Sequence, residues 1–168
     1  VLIDYDSGNL HSARKAFERM AAEVGCGEVL VSGRPEDVAR ADRIVLPGDG
    51  AFPACRQALG ARGGLAEAVV EAVERRGRPF LGICVGMQLL ATRGLEYETT
   101  AGLDWIPGDV RPIEPDDPSL KVPHMGWNTL ERLRPHALLD GIATGPQGLH
   151  AYFVHSFALR PRSPDDIV

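Results

Sequence analysis

The sequence predicts an α/β fold: a mainly parallel open sheet with helices on both faces and an antiparallel hairpin extension. Two observations lead to this prediction. Up to Gly94, short apolar runs alternate with segments whose apolar residues recur at helical spacing, which is typical of βαβ units. After Gly94, prolines divide the chain into short apolar pieces, which favours hairpins at the sheet edge. No internal repeat occurs, so residues 1–168 are predicted to form one domain.

Each predicted element follows from its local pattern. Strands are expected at 1–3, 29–31, 43–46, 80–83 and 151–157, with a further apolar run at 103–106. Helices are expected at 10–22, from Pro35 onward, at 65–76 and at 85–91. Pro35 suits a first helical position, where its missing N–H costs nothing. Leu65, Val69 and Val73 recur at the spacing of one helix face, so the segment 65–76 is amphipathic.

Composition excludes several classes of protein. The net charge of −5 argues against nucleic acid or an anionic membrane as the main partner. No apolar run is long enough to span a bilayer and no leader opens the chain, so we expect a cytoplasmic protein. Three cysteines without a C-x-x-C pair argue against a disulfide framework and a zinc site. No phosphate-binding or dinucleotide motif occurs, so neither a cofactor nor a metal is expected.

The segment Gly82-Ile83-Cys84-Val85-Gly86 lies where the fourth predicted strand turns into a helix. Glycines on both sides let the backbone pass closely, and such a turn holds a nucleophile out from the sheet. The amino end of the following helix is expected to lower the pKa of the thiol. A lone cysteine is more often a small buried hydrophobe. The flanking glycines nevertheless favour a nucleophile at Cys84, while Cys26 and Cys55 are predicted to be structural.

The loop Pro47-Gly48-Asp49-Gly50 directly follows the third predicted strand. Sites in open parallel sheets form at the carboxyl ends of the strands, so this loop and the Cys84 turn are expected to be neighbours. Its glycines free the backbone to present amide groups to a developing oxyanion. A plain turn explains the same residues, because this composition is also typical of turns.

Several segments resemble known proteins. Residues 82–88 and 46–50 resemble the class I, triad-type glutamine amidotransferases. Within that family, three further segments resemble the glutaminase subunits of imidazole glycerol phosphate synthase, an enzyme of histidine biosynthesis: Asp4 to Leu10, Val122 to Asn128 and Tyr152 to Phe157. The resemblance extends over the whole chain. It implies hydrolysis of L-glutamine to L-glutamate and ammonia, with delivery of the ammonia to a synthase subunit in a heterodimer.

The resemblance also implies catalytic roles for matching residues. Cys84 corresponds to the nucleophile that forms a glutamyl thioester. The backbone amides of Val85, Gly48 and Asp49 correspond to the oxyanion hole. Val85 stands where the family usually has Leu, and Asp49 where Val is common. Both act through the backbone, but a carboxylate beside an oxyanion hole is unfavourable unless it points away.

Binding roles follow from the same resemblance. Gln88 corresponds to a side chain that holds the substrate glutamine. Ser156 and Phe157 match the strand whose backbone receives the α-amino acid end of the substrate. The positions that match the surface facing the synthase subunit are Asn9, Trp127 and Tyr152.

The sequence departs from the family in its catalytic base. The family completes its triad with a His-Pro-Glu segment, and no such tripeptide occurs here. His150 and His155 are five apart on one predicted strand, so they face opposite sides. His124 is expected in a loop, and His11 and His136 have no acidic neighbour in a suitable register. We therefore expect that the chain lacks its general base, is cut short of the natural protein, and is inactive by itself.

Two alternatives stay open at this point. The Cys84 motif also fits glutaminases that serve anthranilate, guanylate or pyridoxal phosphate synthesis, although the Met125 to Asn128 segment argues against them. A non-catalytic binding module of the same fold is also possible, since fold does not fix function.

Overall fold

Four short strands form a fully parallel sheet in the order β2-β1-β3-β4. In the computed structural model, which describes residues 1–168, they are β1 (Leu2–Ile3), β2 (Val31–Ser32), β3 (Ile44–Leu46) and β4 (Phe80–Gly82). β1 and β3 lie at the centre of this sheet, so the segments that follow them emerge side by side at its carboxyl edge.

The helices connect these strands. They are α1 (Leu10–Val24), α2 (Pro35–Arg40), α3 (Phe52–Ala61), α4 (Leu65–Val70), which continues into a wider turn at Glu71–Arg75, and α5 (Val85–Gln88). The step from β1 to β2 runs opposite to the steps from β2 to β3 and from β3 to β4. Since such crossovers are right-handed, α1 lies on one face of the sheet, and α2, α3 and α4 lie on the other.

The hydrophobic core lies under the α2–α4 face. Apolar residues from β1, β3, α2, α3 and α4 form one cluster, among them Ile3, Leu46, Val38, Leu59 and Val69. By contrast, α1 has no fully buried residue. Every fully buried residue of the chain lies between Leu2 and Val110. The parallel half of the molecule is therefore the part that packing holds most firmly.

The rest of the chain forms a second sheet and a separate ribbon. The second sheet has the order β10-β7-β5-β6, with β5 (Ala91–Gly94), β6 (Thr100–Ala101), β7 (Ile106–Pro112) and β10 (Phe157–Pro161). Only its β5–β7 pair is parallel. The antiparallel ribbon joins β8 (His124–Thr129) to β9 (His150–His155). The predicted fold class, a mainly parallel sheet with helices and antiparallel additions, is confirmed.

Several element boundaries differ from the prediction. The helix expected at 85–91 ends at Gln88, and Ala91–Gly94 is a strand, because Ala91 pairs with Ile106 of β7. The second strand begins at Val31 rather than at residue 29. The strand expected at 151–157 is two strands that part at Ser156. Each difference arises from a distant pairing partner, which a local pattern does not report.

Helix α3 was not predicted, and one histidine expected in a loop belongs to a strand. Phe52, Cys55 and Leu59 are buried along one face of α3, and Pro53 lies in its first turn, where proline is tolerated. His124, expected in a loop, begins β8. None of the helices combines the length and the apolar character needed to cross a membrane.

Candidate active site

Cys84 lies on a strained turn between β4 and α5. Its backbone angles are φ 55° and ψ −119°. The Gly86 N–H donates to the Ile83 carbonyl at 3.0 Å, which closes a four-residue turn around Cys84 and Val85. These angles match the first central position of a type II′ turn, which glycine normally occupies. A cysteine there is under strain, and strained residues of this kind concentrate at functional sites.

The predicted oxyanion loop lies in backbone contact with this turn. A Cβ atom added to Gly48 would collide with the Gly86 amide nitrogen, and one added to Gly86 would collide with the Leu46 carbonyl. Both glycines are needed because two main chains pass here without room for a side chain. The sequence-based expectation that the 47–50 loop and the Cys84 turn are neighbours is met by this geometry.

The environment of the thiol differs from the prediction. Although the Cys84 side chain is exposed, the protein around it partly desolvates the thiol and raises its pKa above the ordinary value, and the negative charge of Asp49 raises this pKa further. The Val85 amide, which points at the sulfur, lowers the pKa but does not compensate. The expected lowering of the thiol pKa by the helix was therefore wrong: α5 has only four residues, and desolvation outweighs its amide groups. At neutral pH the thiol is mostly protonated, so catalysis needs a base.

Side chains at the carboxyl end of β1 hold the oxyanion loop. The buried Tyr5 hydroxyl donates to the Pro47 carbonyl at 2.6 Å, and its burial raises the pKa of Tyr5 well above the usual value. The Asp49 N–H donates to Ser7 Oγ at 3.0 Å. The Cys55 thiol donates to the Asp49 carbonyl at 3.2 Å. The Asp49 N–H is thus engaged away from Cys84, so its oxyanion role stays a prediction.

Sequence reasoning missed Tyr5 and Ser7 as parts of the site. The signal was present, because both follow β1, which neighbours β3 at the sheet's carboxyl edge. Cys55, which was predicted to be structural, helps to fix this loop through its hydrogen bond to the Asp49 carbonyl.

Two of the candidate substrate residues, Gln88 and Phe157, line one cleft beside Cys84. The cleft has a volume of about 630 Å³, and Cys84, Gln88, His155 and Phe157 all contribute to its lining. Gln88 is buried and its Nε2 donates to the Phe157 carbonyl at 3.3 Å. The Ser156 carbonyl accepts from the Ile113 N–H at 2.8 Å, which ties this strand to the end of β7. The structure therefore brings Cys84 together with two of the three predicted substrate-binding positions, Gln88 and Phe157, whereas Ser156 does not line the cleft.

Two histidines of the ribbon form a pair at the edge of this cleft. His124 Nδ1 and His155 Nε2 are 3.0 Å apart, and His155 Nδ1 lies 3.0 Å from the Phe157 carbonyl oxygen. Both ring nitrogens of His155 are therefore engaged. No hydrogen bond joins any of the five histidines to Cys84.

The residues expected to face a partner occupy different settings. Asn9 caps α1, where its side chain accepts from the Ser12 N–H at 3.1 Å. Trp127 and Tyr152 lie opposite each other on the ribbon, in an edge-to-face pair with centroids 5.4 Å apart. Trp127 is 70% exposed and Tyr152 is 54% exposed. A core role for Trp127 is thereby excluded in this structure.

Comparison with known proteins agrees with this geometry. The family described as "Glutamine amidotransferase class-I" matches residues 1–168. The chain belongs to this family, as the resemblance predicted.

Curated relatives narrow the relationship. The chain is 71% identical over 157 residues to imidazole glycerol phosphate synthase subunit HisH of Cereibacter sphaeroides, covering 94% of this chain and 73% of the relative. It is 61% identical to the HisH subunit of Ruegeria pomeroyi, covering 98% and 76%, and 59% identical to that of Rhizobium meliloti, covering 99% and 78%. The prediction of the glutaminase subunit of imidazole glycerol phosphate synthase is confirmed.

Proposed function

We propose that residues 1–168 form a glutaminase domain that uses Cys84 to release ammonia from glutamine. The Cys84 sulfur attacks the carboxamide carbon, and the resulting oxyanion faces the backbone amides of Val85 and Gly48. Collapse of this intermediate breaks the C–N bond, and the nitrogen leaves as ammonia after it takes up a proton. Water then attacks the glutamyl thioester, which releases glutamate and restores the thiol.

The strained conformation of Cys84 is the observation that carries this proposal. Its φ of 55° and ψ of −119° place a side chain where glycine is preferred. Such a strained turn is expected where the Cys84 sulfur has to lie at the cleft beside the 47–50 loop. A buried structural cysteine needs no such turn, so the geometry favours an enzyme over a binding module.

Substrate recognition is assigned to the other side of the cleft. We expect Gln88 and the Ser156–Phe157 backbone to receive the α-amino acid end of a glutamine whose carboxamide is at Cys84, and the position of Gln88 and Phe157 in the lining of the cleft supports this. Gln88 is held by the Phe157 carbonyl, so the two groups form one recognition unit. No cofactor or metal enters this scheme.

We assign the exposed face of the ribbon to the synthase subunit that consumes the ammonia. Ammonia in water is largely protonated and diffuses away, so a sealed interface protects the product. Met125, Trp127, Tyr152 and Val154 alternate onto the exposed face of the ribbon and are each at least half exposed. Large apolar and aromatic side chains of this kind are favoured as interface anchors.

A labelling experiment tests the proposed chemistry. The full-length subunit, bound to the synthase subunit, is treated with 6-diazo-5-oxo-L-norleucine, a glutamine analogue that alkylates a nucleophile in a glutamine site. Peptide mass spectrometry should find the label on Cys84, and excess L-glutamine should prevent it. Label on Cys26 or Cys55 instead, or no label, would support a binding module.

The catalytic base is proposed to lie outside residues 1–168. Neither a His-Pro-Glu segment nor a histidine bonded to Cys84 occurs within them. We therefore expect the 168-residue polypeptide to hydrolyse no glutamine in a glutamate-release assay. A cytoplasmic location is part of the same proposal, and it agrees with three free cysteines; fractionation of the native host checks it.

A further inference from the structure

We propose that His155 is a positioning residue for glutamine recognition, oriented for this task by His124. This inference rests on the glutaminase function proposed above, and it concerns two histidines to which neither the motif nor the family match assigns a role. His155 holds the Phe157 carbonyl in place together with Gln88, so that the recognition strand and the recognition side chain share one fixed atom.

The hydrogen bonds permit one reading of proton positions when the pair is neutral. A carbonyl oxygen can only accept, so His155 Nδ1 carries the proton and donates to Phe157 at 3.0 Å. The Nε2 of His155 is then an acceptor. His124 Nδ1 must therefore donate to it across 3.0 Å. His124 thus fixes the tautomer of His155, as a second group commonly does for a functional imidazole.

The Phe157 carbonyl receives two donors at once. Gln88 Nε2 approaches it at 3.3 Å and His155 Nδ1 at 3.0 Å. Both of its lone pairs are thereby used, so the peptide at Phe157 cannot rotate without breaking a bond. Since Gln88 is buried and His155 lines the cleft that contains Cys84, the fixed carbonyl determines where a bound glutamine can lie.

Side chains alternate between the two faces of the ribbon, and this alternation places both histidines on the same face. His124 and His155 are directly opposite in the β8–β9 register, and they lie on the half-buried face with Phe153, which stacks on His124 at 5.2 Å. The neighbouring positions Met125 and Val154 point to the exposed face. Nothing in the packing of the parallel core requires histidine at these positions, because the ribbon contributes no fully buried residue.

The test separates recognition of glutamine from reactivity of the thiol. In the full-length subunit bound to its synthase subunit, Cys84 is labelled either with 6-diazo-5-oxo-L-norleucine or with iodoacetamide. The first reagent needs the glutamine site, and the second, which is small, needs only an accessible thiolate. The measured quantity is the second-order labelling rate with each reagent, for variants whose melting curves show that they are folded.

Three substitutions at one position give the sharpest contrast. Asparagine can place its amide N–H where His155 Nδ1 lies, whereas glutamine reaches only the Nε2 position, and leucine reaches neither. His155→Leu and His155→Gln should slow analogue labelling about 3- to 10-fold, as expected for one lost hydrogen bond. His155→Asn should keep the wild-type rate. Iodoacetamide labelling should stay within about twofold in all three.

Two further variants complete the comparison. His124→Leu should slow analogue labelling by less than His155→Leu. It no longer fixes the tautomer of His155, but the His155 Nδ1 donor remains in place. His150→Gln is the matched control, since His150 is on the same strand but exposed and has no part in the pair, and it should leave both rates unchanged.

The outcomes are distinct. Equal analogue rates for Asn, Gln and Leu at position 155 would overturn the positioning role, as would a parallel loss of both labelling rates. A wild-type complex that the analogue fails to label would overturn the glutaminase proposal itself, and this inference with it.

Discussion

The parallel sheet and the β8–β9 ribbon differ in how their large apolar and aromatic side chains are buried. In the parallel half, residues such as Leu46 and Leu59 are completely buried, and the Cys84 turn lies in close backbone contact with the 47–50 loop. In the ribbon, Trp127 and Tyr152 are large, apolar and exposed. The first region is held by its own core, so it can keep Cys84 in a strained conformation. The second region leaves its large aromatic side chains exposed, as is typical of a surface that binds another protein.

The largest expected effect separates the two regions by stability. Leu59→Ala should lower the free energy of unfolding by about 2–5 kcal/mol, because Leu59 is fully buried in α3 and its removal leaves a cavity. Leu149→Ala is the matched change beside the ribbon, where Leu149 is 63% exposed. It should change stability by less than about 0.5 kcal/mol. Urea unfolding measures both, and equal losses would refute the comparison.

The second effect appears in partner binding. Trp127→Ala should weaken binding of the synthase subunit by about 2 kcal/mol or more, as for a central aromatic anchor, while the melting temperature of the isolated subunit barely changes. Trp105→Ala should do the reverse, because Trp105 packs edge-to-face on Phe80 and donates to Glu74 at 2.6 Å.

Calorimetric titration with the synthase subunit and thermal melting distinguish the two tryptophans. A large loss of melting temperature for Trp127→Ala, with unchanged affinity, would refute its docking role.

The smallest effect concerns the negative charge of Asp49 near Cys84. Asp49 contributes to the raised pKa of Cys84, because its negative charge disfavours the thiolate. Asp49→Asn removes that charge, so the pKa of Cys84 should fall and the thiolate fraction at a given pH below it should rise. The pH profile of iodoacetamide alkylation should then move to lower pH. Asp116→Asn, at an exposed turn position, should not move it; an unchanged profile in Asp49→Asn would contradict the assignment.

The sequence predicted best those parts that depend on local pattern. The strands β1, β3 and β4, the turn at Cys84 and the loop after β3 were found because apolar runs and flanking glycines mark them directly. The substrate-binding roles predicted for Gln88 and Phe157 came from the family resemblance rather than from the residues, and their hydrogen bond was not predicted. Helix α3 had a readable buried face in Phe52, Cys55 and Leu59, and it was missed because Pro53 and Gly60 obscure the pattern.

Other features could not be derived from a single amino-acid sequence. The early end of α5 at Gln88 and the strand at Ala91–Gly94 depend on pairing with β7. The His124–His155 pair depends on the ribbon register, which brings together residues 31 positions apart. The pKa of Cys84 depends on the balance between partial desolvation, which raises it, and the Val85 amide, which lowers it. In each case the deciding interaction is tertiary, and tertiary contacts override local propensity.

The central claim is that Cys84 is the nucleophile that releases ammonia for the synthase subunit. The most direct measurement compares glutamine-driven and ammonium-driven turnover in the full-length complex that carries Cys84→Ala. Glutamine-driven turnover should fall by about 10⁴-fold or more, as when a nucleophile is removed from a catalytic unit, while turnover with added ammonium salt stays near wild type. Cys26→Ala, at an exposed thiol, should leave both intact. Glutamine-driven turnover that survives in Cys84→Ala would contradict the account.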